Sequence, residues 1–482
     1  MYRFILSLLV IVLPLVSRTG AAETRPNIVF VYTDDQAPTA VGMVGDSQFK
    51  TPHMDSLFRD GVRLANAFVT TPVCSPSRAG LMTSRYSSEL AILDWINPSR
   101  ETEHGLDPDT VTWPELLAAA GYKTGLVGKW HLGTADRYHP TRTGYDYFIG
   151  FRAGGASPVD PKLEKDGVSR PFKGFTPDIL TDHAIEFVRQ NCQQPFLLSL
   201  HFRAPHARWL PVRDEDWLPY KELDPQIPNP NFVDLDVRRV KRMTREYMAS
   251  VVSVDRNLGR LLETLDELGL RENTIVIFTS DHGYHLGHHG LWYKGNAQWQ
   301  LTKLPPQKWP GIAPKQRPNL LDQAIRVPCA VRWPKQIKAG TMVGETVSNL
   351  DWFPTLLAMA GIDLPTTVRI RGHNFLPLLR GEKIEWDNRL YCEYSMRHGA
   401  TTDMRAARTP DWKLMIDFHN VGREELYDLR NDPGETRDLS SSTAAEHLAI
   451  KAQLAARIRS MMRELEDPAQ NPKTGTEKAR NP

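Results

Sequence analysis

Apolar residues along this chain fall into two alternating textures, and the alternation predicts a sheet wound with helices. Short runs rich in Val, Ile and Phe occupy residues 27–33, 123–128, 196–201 and 274–279, and each reads as a buried strand. Between them lie segments whose apolar residues recur at helical spacing. Residues 112–121 open on Thr112-Trp113-Pro114-Glu115 and close at Gly121, and residues 179–190 form a second helix. Residues 243–268 place Met248, Val251, Val254, Leu258, Leu261, Leu262, Leu265 and Leu268 on one stripe, closed by Gly269. Strands alternating with helices predict an α/β domain whose mixed, mostly parallel central sheet lies between helices. From about residue 364 the texture changes. Shorter extended pieces at 389–393, 405–409, 412–418 and 425–429 read as a small antiparallel sheet, followed by a helix over 442–466. The expected organisation is a large domain over residues 23–363 and a C-terminal subdomain over 364–466. A polar, Pro-containing tail at 467–482 is expected to be disordered.

What the four strands end on changes the picture. Asp34-Asp35 follows the first, Lys129-Trp130-His131 the second, Arg203 to His206 the third and Asp281-His282-Gly283 the fourth. Parallel strands wound with helices form their sites in the crevice outside the strands' carboxyl ends, so these residues are expected in one pocket. Three carboxylates gathered there would repel one another, and a hard divalent cation relieves this. Oxygen ligation suits calcium or magnesium, with calcium favoured where carboxylates dominate. Taken alone, Asp34-Asp35 would read as a turn or a helix cap.

Residues 1–22 resemble a secretory signal, with Arg3 before a nearly continuous apolar run and Gly20-Ala21-Ala22 as small residues for cleavage. The apolar run is short for a membrane span and no second one follows, so export to the periplasm or the extracellular space is expected, without a stable membrane span. A formal charge of +2, from 59 basic and 57 acidic residues, gives no global field for nucleic acid. Four cysteines, Cys74, Cys192, Cys329 and Cys392, are too few for a disulfide scaffold.

Cys74-Ser75-Pro76-Ser77-Arg78 has the spacing Cys-x-Pro-x-Arg. As an isolated pentapeptide it also reads as a buried cysteine in an ordinary turn before a helix. Its neighbours in the chain decide otherwise. Residues 27–35, Gly-Lys-Trp-His-Leu-Gly at 128–133, Ala-Pro-His at 204–206, Ser-Asp-His-Gly-Tyr-His-Leu-Gly at 280–287, Trp292-Tyr293-Lys294 and Glu425-Leu426-Tyr427-Asp428-Leu429 occur in the order of the formylglycine-dependent sulfatases. The chain resembles that family, of the alkaline phosphatase superfamily, over about residues 25–440.

The resemblance implies an alkaline-phosphatase-like large domain and a sulfuric ester hydrolase. It implies that a formylglycine-generating maturation enzyme oxidises Cys74 to 3-oxoalanine (formylglycine), whose hydrated form attacks sulfur. Asp34, Asp35, Asp281 and His282 would bind one calcium together with residue 74. Arg78 and Lys129 would stabilise the nucleophile and sulfate, and His131 would take the proton that lets sulfate leave. His206 and Lys294 would contact sulfate and the leaving oxygen, with His206 the candidate acid. A sulfated saccharide is the expected substrate. His282 stands where many members carry Asn, and His288 stands where iduronate-type members carry Glu. A long polar insert over 295–319 is expected to be a loop near the pocket. Trp95, Trp209, Trp217, Trp292 and Trp299 are candidates for stacking on sugar or for core packing, and the basic run at 238–242 reads as a solvated helix face. Two other readings fit the residues: a phosphate mono- or diesterase on the same fold, and a non-catalytic protein that binds sulfated glycans.

Overall fold

The structure, a computed structural model, describes residues 25–302, 312–313 and 315–470. The signal-like segment, the tail beyond residue 470 and part of the 295–319 insert lie outside the described residues. Among the described residues no helix is long and apolar enough to cross a membrane.

Ten strands form the main sheet. In chain order the first eight are β1 (Asn27–Thr33), β2 (Val62–Phe68), β3 (Lys123–Lys129), β4 (Tyr147–Phe151), β5 (Lys162–Lys165), β6 (Val168–Pro171), β7 (Phe196–His201) and β8 (Thr274–Ser280). Their order across the sheet is Thr341–Ser348, β2, Cys329–Arg332, β8, β1, β7, β3, β4, β5, β6. The run β8, β1, β7, β3, β4 is parallel throughout, while Cys329–Arg332 and the β5–β6 hairpin are antiparallel to their neighbours. The sheet is therefore mixed and mostly parallel, as the alternating textures predict.

Period-two geometry explains how one strand feeds two cores. Along β1, Ile28, Phe30 and Tyr32 join one buried cluster and Val29 and Val31 the other, because successive side chains leave opposite faces. The long helix Val237–Glu267 lays Tyr247, Met248, Val251, Val254, Leu258, Leu261 and Leu265 on the second face. It begins six residues before its apolar stripe does. Asp236 caps it, accepting from Arg239 N at 3.0 Å, and the basic residues of the first turns hide the periodicity there. Val240 alone in that run is fully buried. A fully buried large apolar side chain stabilises the fold by about 1.5–3 kcal/mol, so this one apolar stripe suffices to fix the helix.

The C-terminal sheet comprises Leu390–Tyr394, Met404–Arg408, Trp412–Asp417 and Glu424–Asp428, antiparallel in sequence order. One of its faces carries Leu414 and Leu426 against Leu454, Ile458 and Met462 of the helix Ala445–Glu464. Its other face adds Tyr394, Met404, Ala406 and Met415 to the first core cluster of the large sheet. Asp467 departs from the expected disordered tail: it is buried and accepts from Arg405 Nη2 at 2.7 Å, followed by the short turn Pro468–Gln470. Composition alone could not show this, because the partner lies 62 residues away. All four cysteines are free thiols.

Candidate active site

Four neighbouring parallel strands deliver the site. β1 ends into Asp34 and Asp35, β8 into Asp281 and His282, and β3 ends on Lys129 two residues before His131. β7 continues into the loop that carries His206. The turns are sharp: Asp35 and His131 both take left-handed backbone, with φ of 68° and 62°, a region Asp and His tolerate better than most residues. Gly128 explains its own place in the sequence pattern, since a Cβ there would sit 1.9 Å from His201 O on the neighbouring strand.

After helix α1 (Pro52–Asp60), helix α2 (Cys74–Thr83) starts on Cys74 and has all ten residues buried. Ser77 donates to Asp281 O, and Asn349 Nδ2 donates to Ser77 O at 2.9 Å. The helix is thereby fixed against β8, with its positive end at residue 74. Cys74 lies within the helix rather than in a turn before it, and Pro76 is the helix's third residue.

The charged groups interlock around Cys74 Sγ. Lys294 Nζ lies 3.0 Å from the sulfur and donates to Asp35 Oδ1 at 2.9 Å. Lys129 Nζ donates to Asp34 Oδ2 at 2.6 Å, and Asp34 Oδ1 is 3.6 Å from the sulfur. Arg78 pairs with Asp281 Oδ2 at 2.9 Å and lies 5.0 Å over the Tyr32 ring. Asp34, Asp35, Lys129, Asp281 and His282 are wholly buried, whereas the His206 side chain is 18 % exposed. His206 therefore marks the mouth of the site.

Burial and the Asp34 carboxylate push the Cys74 thiol up, but Lys129 and Lys294 outweigh them and hold it well below its ordinary range. Burial raises Asp35 to about 7 despite Lys294. Burial would lower His282, yet Asp281 lifts it to about 9. His206 falls to about 3, through burial first and Lys294 second, and His131 is lowered by burial and Lys129.

The donors fit a hard cation. His282 Nδ1 faces Gly283 O at 3.0 Å, so it carries the ring proton, and Nε2 points at Asp35 Oδ1 (3.2 Å), Asp281 Oδ1 (3.3 Å) and Asp34 Oδ1 (3.9 Å). A lone pair aimed at three carboxylate oxygens calls for a proton or a metal ion between them. Asp35 Oδ2 is buried with no hydrogen-bond partner. Asp34, Cys74, Asp281 and His282 place one ligand atom each within 4.8 Å of one another, as do Asp34, Asp35, Cys74 and His206. Three carboxylates face three fixed cations here, so a divalent cation and a sulfate dianion can enter together without unbalancing the charge.

All ten expected site residues thus converge on residue 74. Three of the candidate tryptophans pack elsewhere: Trp209 and Trp292 are buried 5.8 Å apart among Tyr247 and Tyr284, and Trp95 lies tilted against His398 at 4.5 Å. Sequence reading missed the main chain of Ile96. Its N–H donates to Ser75 Oγ at 3.0 Å and its carbonyl faces His131 Nε2 at 3.1 Å. A carbonyl only accepts, so Nε2 carries the proton, and His131 Nδ1 is left without a hydrogen-bond partner. Backbone atoms leave no trace in residue type, and no pattern could have found this one. Arg203, expected at the strand end without an assigned role, braces the loop that carries His206: both of its terminal nitrogens donate to Arg208 O at 2.9 Å.

Comparison with known proteins agrees with this geometry. The sulfatase family profile matches residues 26–362, and that of N-sulphoglucosamine sulphohydrolase, C-terminal, matches residues 316–464. The chain is 26% identical over 527 residues to an N-acetylglucosamine-6-O-sulfatase of Bacteroides thetaiotaomicron, covering 92% of this chain and 86% of the relative. It is 28% identical over 459 residues to an ulvan-active sulfatase of Formosa agariphila, covering 92% and 82%. A solved structure of a protein in complex with its substrate D-glucosamine-2-N,6-O-disulfate superposes with a TM-score of 0.78 at 25% identity, over 93% of this chain and 100% of that one. The chain belongs to the sulfatase family and is a sulfuric ester hydrolase with the alkaline-phosphatase-like fold.

Proposed function

We propose that this chain is an exported sulfatase that removes sulfate esters from a sulfated carbohydrate, using a formylglycine made from Cys74 and one bound calcium ion. The observation that carries the reading is Cys74 Sγ at the buried start of α2, 3.0 Å from Lys294 Nζ and 3.6 Å from Asp34 Oδ1. A glucosamine-sulfate relative, an ulvan-active relative and the disulfated glucosamine complex support a saccharide substrate. Export, to the periplasm or the extracellular space, rests on residues 1–22 alone.

Asp34, Asp35, Asp281 and His282, with residue 74, would hold the calcium, which supplies Lewis acidity and neutralises sulfate charge. The oxidised, hydrated residue 74 supplies an oxygen nucleophile, a better match for a hard cation than a thiolate. Arg78, Lys129 and Lys294 present fixed positive charge to the non-bridging oxygens, where it is worth most because the site is dry. His131, whose ring interacts with Cys74 and whose Nδ1 is free to accept, takes the proton whose loss lets sulfate depart. His206 stands at the mouth, on the side where the leaving alcohol must lie. Its imidazole carries the proton on Nδ1, toward Ala207 O at 2.7 Å. Protonating a departing oxygen through Nε2 therefore needs a proton recruited as substrate enters. Because α2 is wholly buried, the maturation enzyme must meet residue 74 before the fold closes.

Peptide mass spectrometry on residue 74 from a host with maturation machinery, paired with release of inorganic sulfate from N-acetylglucosamine 6-sulfate, tests the reading. Formylglycine with sulfate release is expected. An unmodified cysteine, or faster release of phosphate than of sulfate from matched esters, would overturn it.

A further inference from the structure

The residues around Asp94 connect the C-terminal sheet to the proton acceptor. Asp94 is buried, and its Oδ2 accepts from Arg397 N at 2.7 Å, His398 N at 3.1 Å and His398 Nδ1 at 3.1 Å. Its Oδ1 accepts from Trp95 N at 2.9 Å and from the Tyr394 hydroxyl at 3.4 Å. The other nitrogen of His398 lies 3.3 Å from Glu101 Oε2, and that same oxygen accepts from Asn97 N at 2.6 Å. One imidazole thus joins the two carboxylates that brace the loop on either side of Ile96, and the Trp95 ring packs against it, tilted by 42° with centroids 4.5 Å apart.

We propose that His398 is a positioning residue of the reaction: bound to Asp94 and Glu101 at once, it fixes the loop so that the Ile96 carbonyl holds the His131 proton on Nε2 and leaves Nδ1 bare. The inference rests on the reading of His131 as proton acceptor. Ile96 is suited to the task because its main chain is held on both sides of Cα, the N–H by Ser75 Oγ beside the nucleophile and the carbonyl by His131. His131 has little freedom on its other side, where a Cβ on Gly154 would lie 2.7 Å from Nε2. A small shift of the loop is enough to lose the pairing, since mispositioning by about 1 Å can cost on the order of a hundredfold.

The double attachment requires the imidazolium. A neutral imidazole has one N–H and one lone pair, and a lone pair facing a carboxylate is repulsive. The hydrogen bond to Asp94 raises His398 above its ordinary value, burial opposes this, the Asp94 and Glu101 charges add to the rise and Arg100 opposes it. Among the described residues the charges acting on it are those of Asp94, Glu101 and Arg100, while the Arg397 guanidinium is turned to Asp403 at 2.6 Å. The sign follows: the attachment is complete below the raised value and is lost as pH rises through it.

The test compares matured wild type with His398→Gln and His398→Ala, using 4-nitrocatechol sulfate as probe across pH, together with nitrogen NMR of ¹⁵N-histidine-labelled protein. His398→Ala is expected to lower kcat about tenfold to a hundredfold, with KM within about twofold. Both variants should lose an alkaline decline in kcat that wild type shows. The His131 Nε2–H tautomer seen in wild type should give way to a mixture in His398→Ala. Unchanged kcat and pH profile, or a change confined to KM, would overturn the proposal, as would an unaltered His131 tautomer. If His398→Ala fails to fold, His398→Gln, which keeps a donor for Asp94, decides. The NMR arm reads out even if wild type hydrolyses no sulfate ester, which keeps failure of this inference apart from failure of the functional reading.

Discussion

Two clusters of buried charge sit in this molecule, similar in composition and opposite in character. In the C-terminal lobe Asp322 takes Arg408 Nε at 3.1 Å and Lys413 Nζ at 2.9 Å on Oδ1, and Arg408 Nη2 at 3.0 Å on Oδ2. Glu435 takes Lys413 on one oxygen at 2.7 Å and Asp322 N on the other at 2.6 Å. Every carboxylate oxygen there has a donor. Around Cys74 the same residue types leave Asp35 Oδ2 and His131 Nδ1 unmatched and turn a lone pair of His282 toward three carboxylates. A satisfied network has nothing left to offer a ligand and serves stability. An unsatisfied one is kept ready for groups still to arrive.

That contrast can be broken by exchanging the consequences of mutation. Asp35→Asn should lower kcat of the matured enzyme by at least about 10³-fold while leaving the melting temperature within a few degrees, because it relieves repulsion as it removes a ligand. Activity near wild type would make the open cluster structural after all. Asp322→Ala should do the reverse, costing about 3–5 kcal/mol in chemical denaturation by stranding Arg408 and Lys413, with kcat per folded molecule retained. Chelation sharpens the difference: removing calcium should abolish turnover and lower stability by about 2.7 kcal/mol relative to protein at a hundredfold excess over Kd, restored on adding the ion back. The Asp322→Ala variant should show the same loss.

The smallest effect is in the pH dependence of stability, and its sign differs between the clusters. Asp322 is held below its ordinary range by Lys413 and Arg408 against burial. Its contribution is present above the unfolded value near 4 and disappears as pH falls. Asp35 is raised to about 7 by burial, so calcium-free protein should lose stability as pH rises between those values, since the unfolded chain releases that proton first. Melting curves from about pH 2 to 8, with and without calcium, should show stability falling away below about pH 4 through Asp322 and falling as pH rises between about 4 and 7 through Asp35, each at the level of about 1 kcal/mol or more, and calcium should remove the Asp35 limb. Identical curves would mean the ion does not engage Asp35.

Much of the open cluster was legible because its residues follow strands that announce themselves. Short apolar runs at β1, β3, β7 and β8 fix where each chain segment leaves the sheet, and charge or imidazole stands at or just after their ends. β2 escaped notice because Arg63 and Asn66 interrupt its apolar pattern, and β5 and β6 because nearly all their residues are polar or exposed. The Asp166-Gly167 turn between those two, with φ of 55° and 74°, was the usable signal for a hairpin. The closed cluster was illegible, since Asp322 meets Arg408 and Lys413 across 86 and 91 residues. The same holds for Asp94 and His398, separated by 304 residues. Long-range pairing between ordinary surface residue types has no local signature, and a working carbonyl such as that of Ile96 has none of any kind.

The two outer strands of the ten-stranded sheet bear on how the protein behaves when concentrated. β6 is only four residues long, exposed throughout, charged at Arg170 and ended by Pro171, which has no N–H to offer. At the opposite margin the pairing of Thr341–Ser348 with β2 slips between Val343 and Thr346 around Gly344 and Glu345. Neither margin presents a flat row of free amides on which another molecule's strand could crystallise. A wide sheet that holds its catalytic groups at the centre thus carries its own terminators of fibre growth, and solutions of the folded enzyme should remain monodisperse where an equally wide, flat-edged sheet would polymerise.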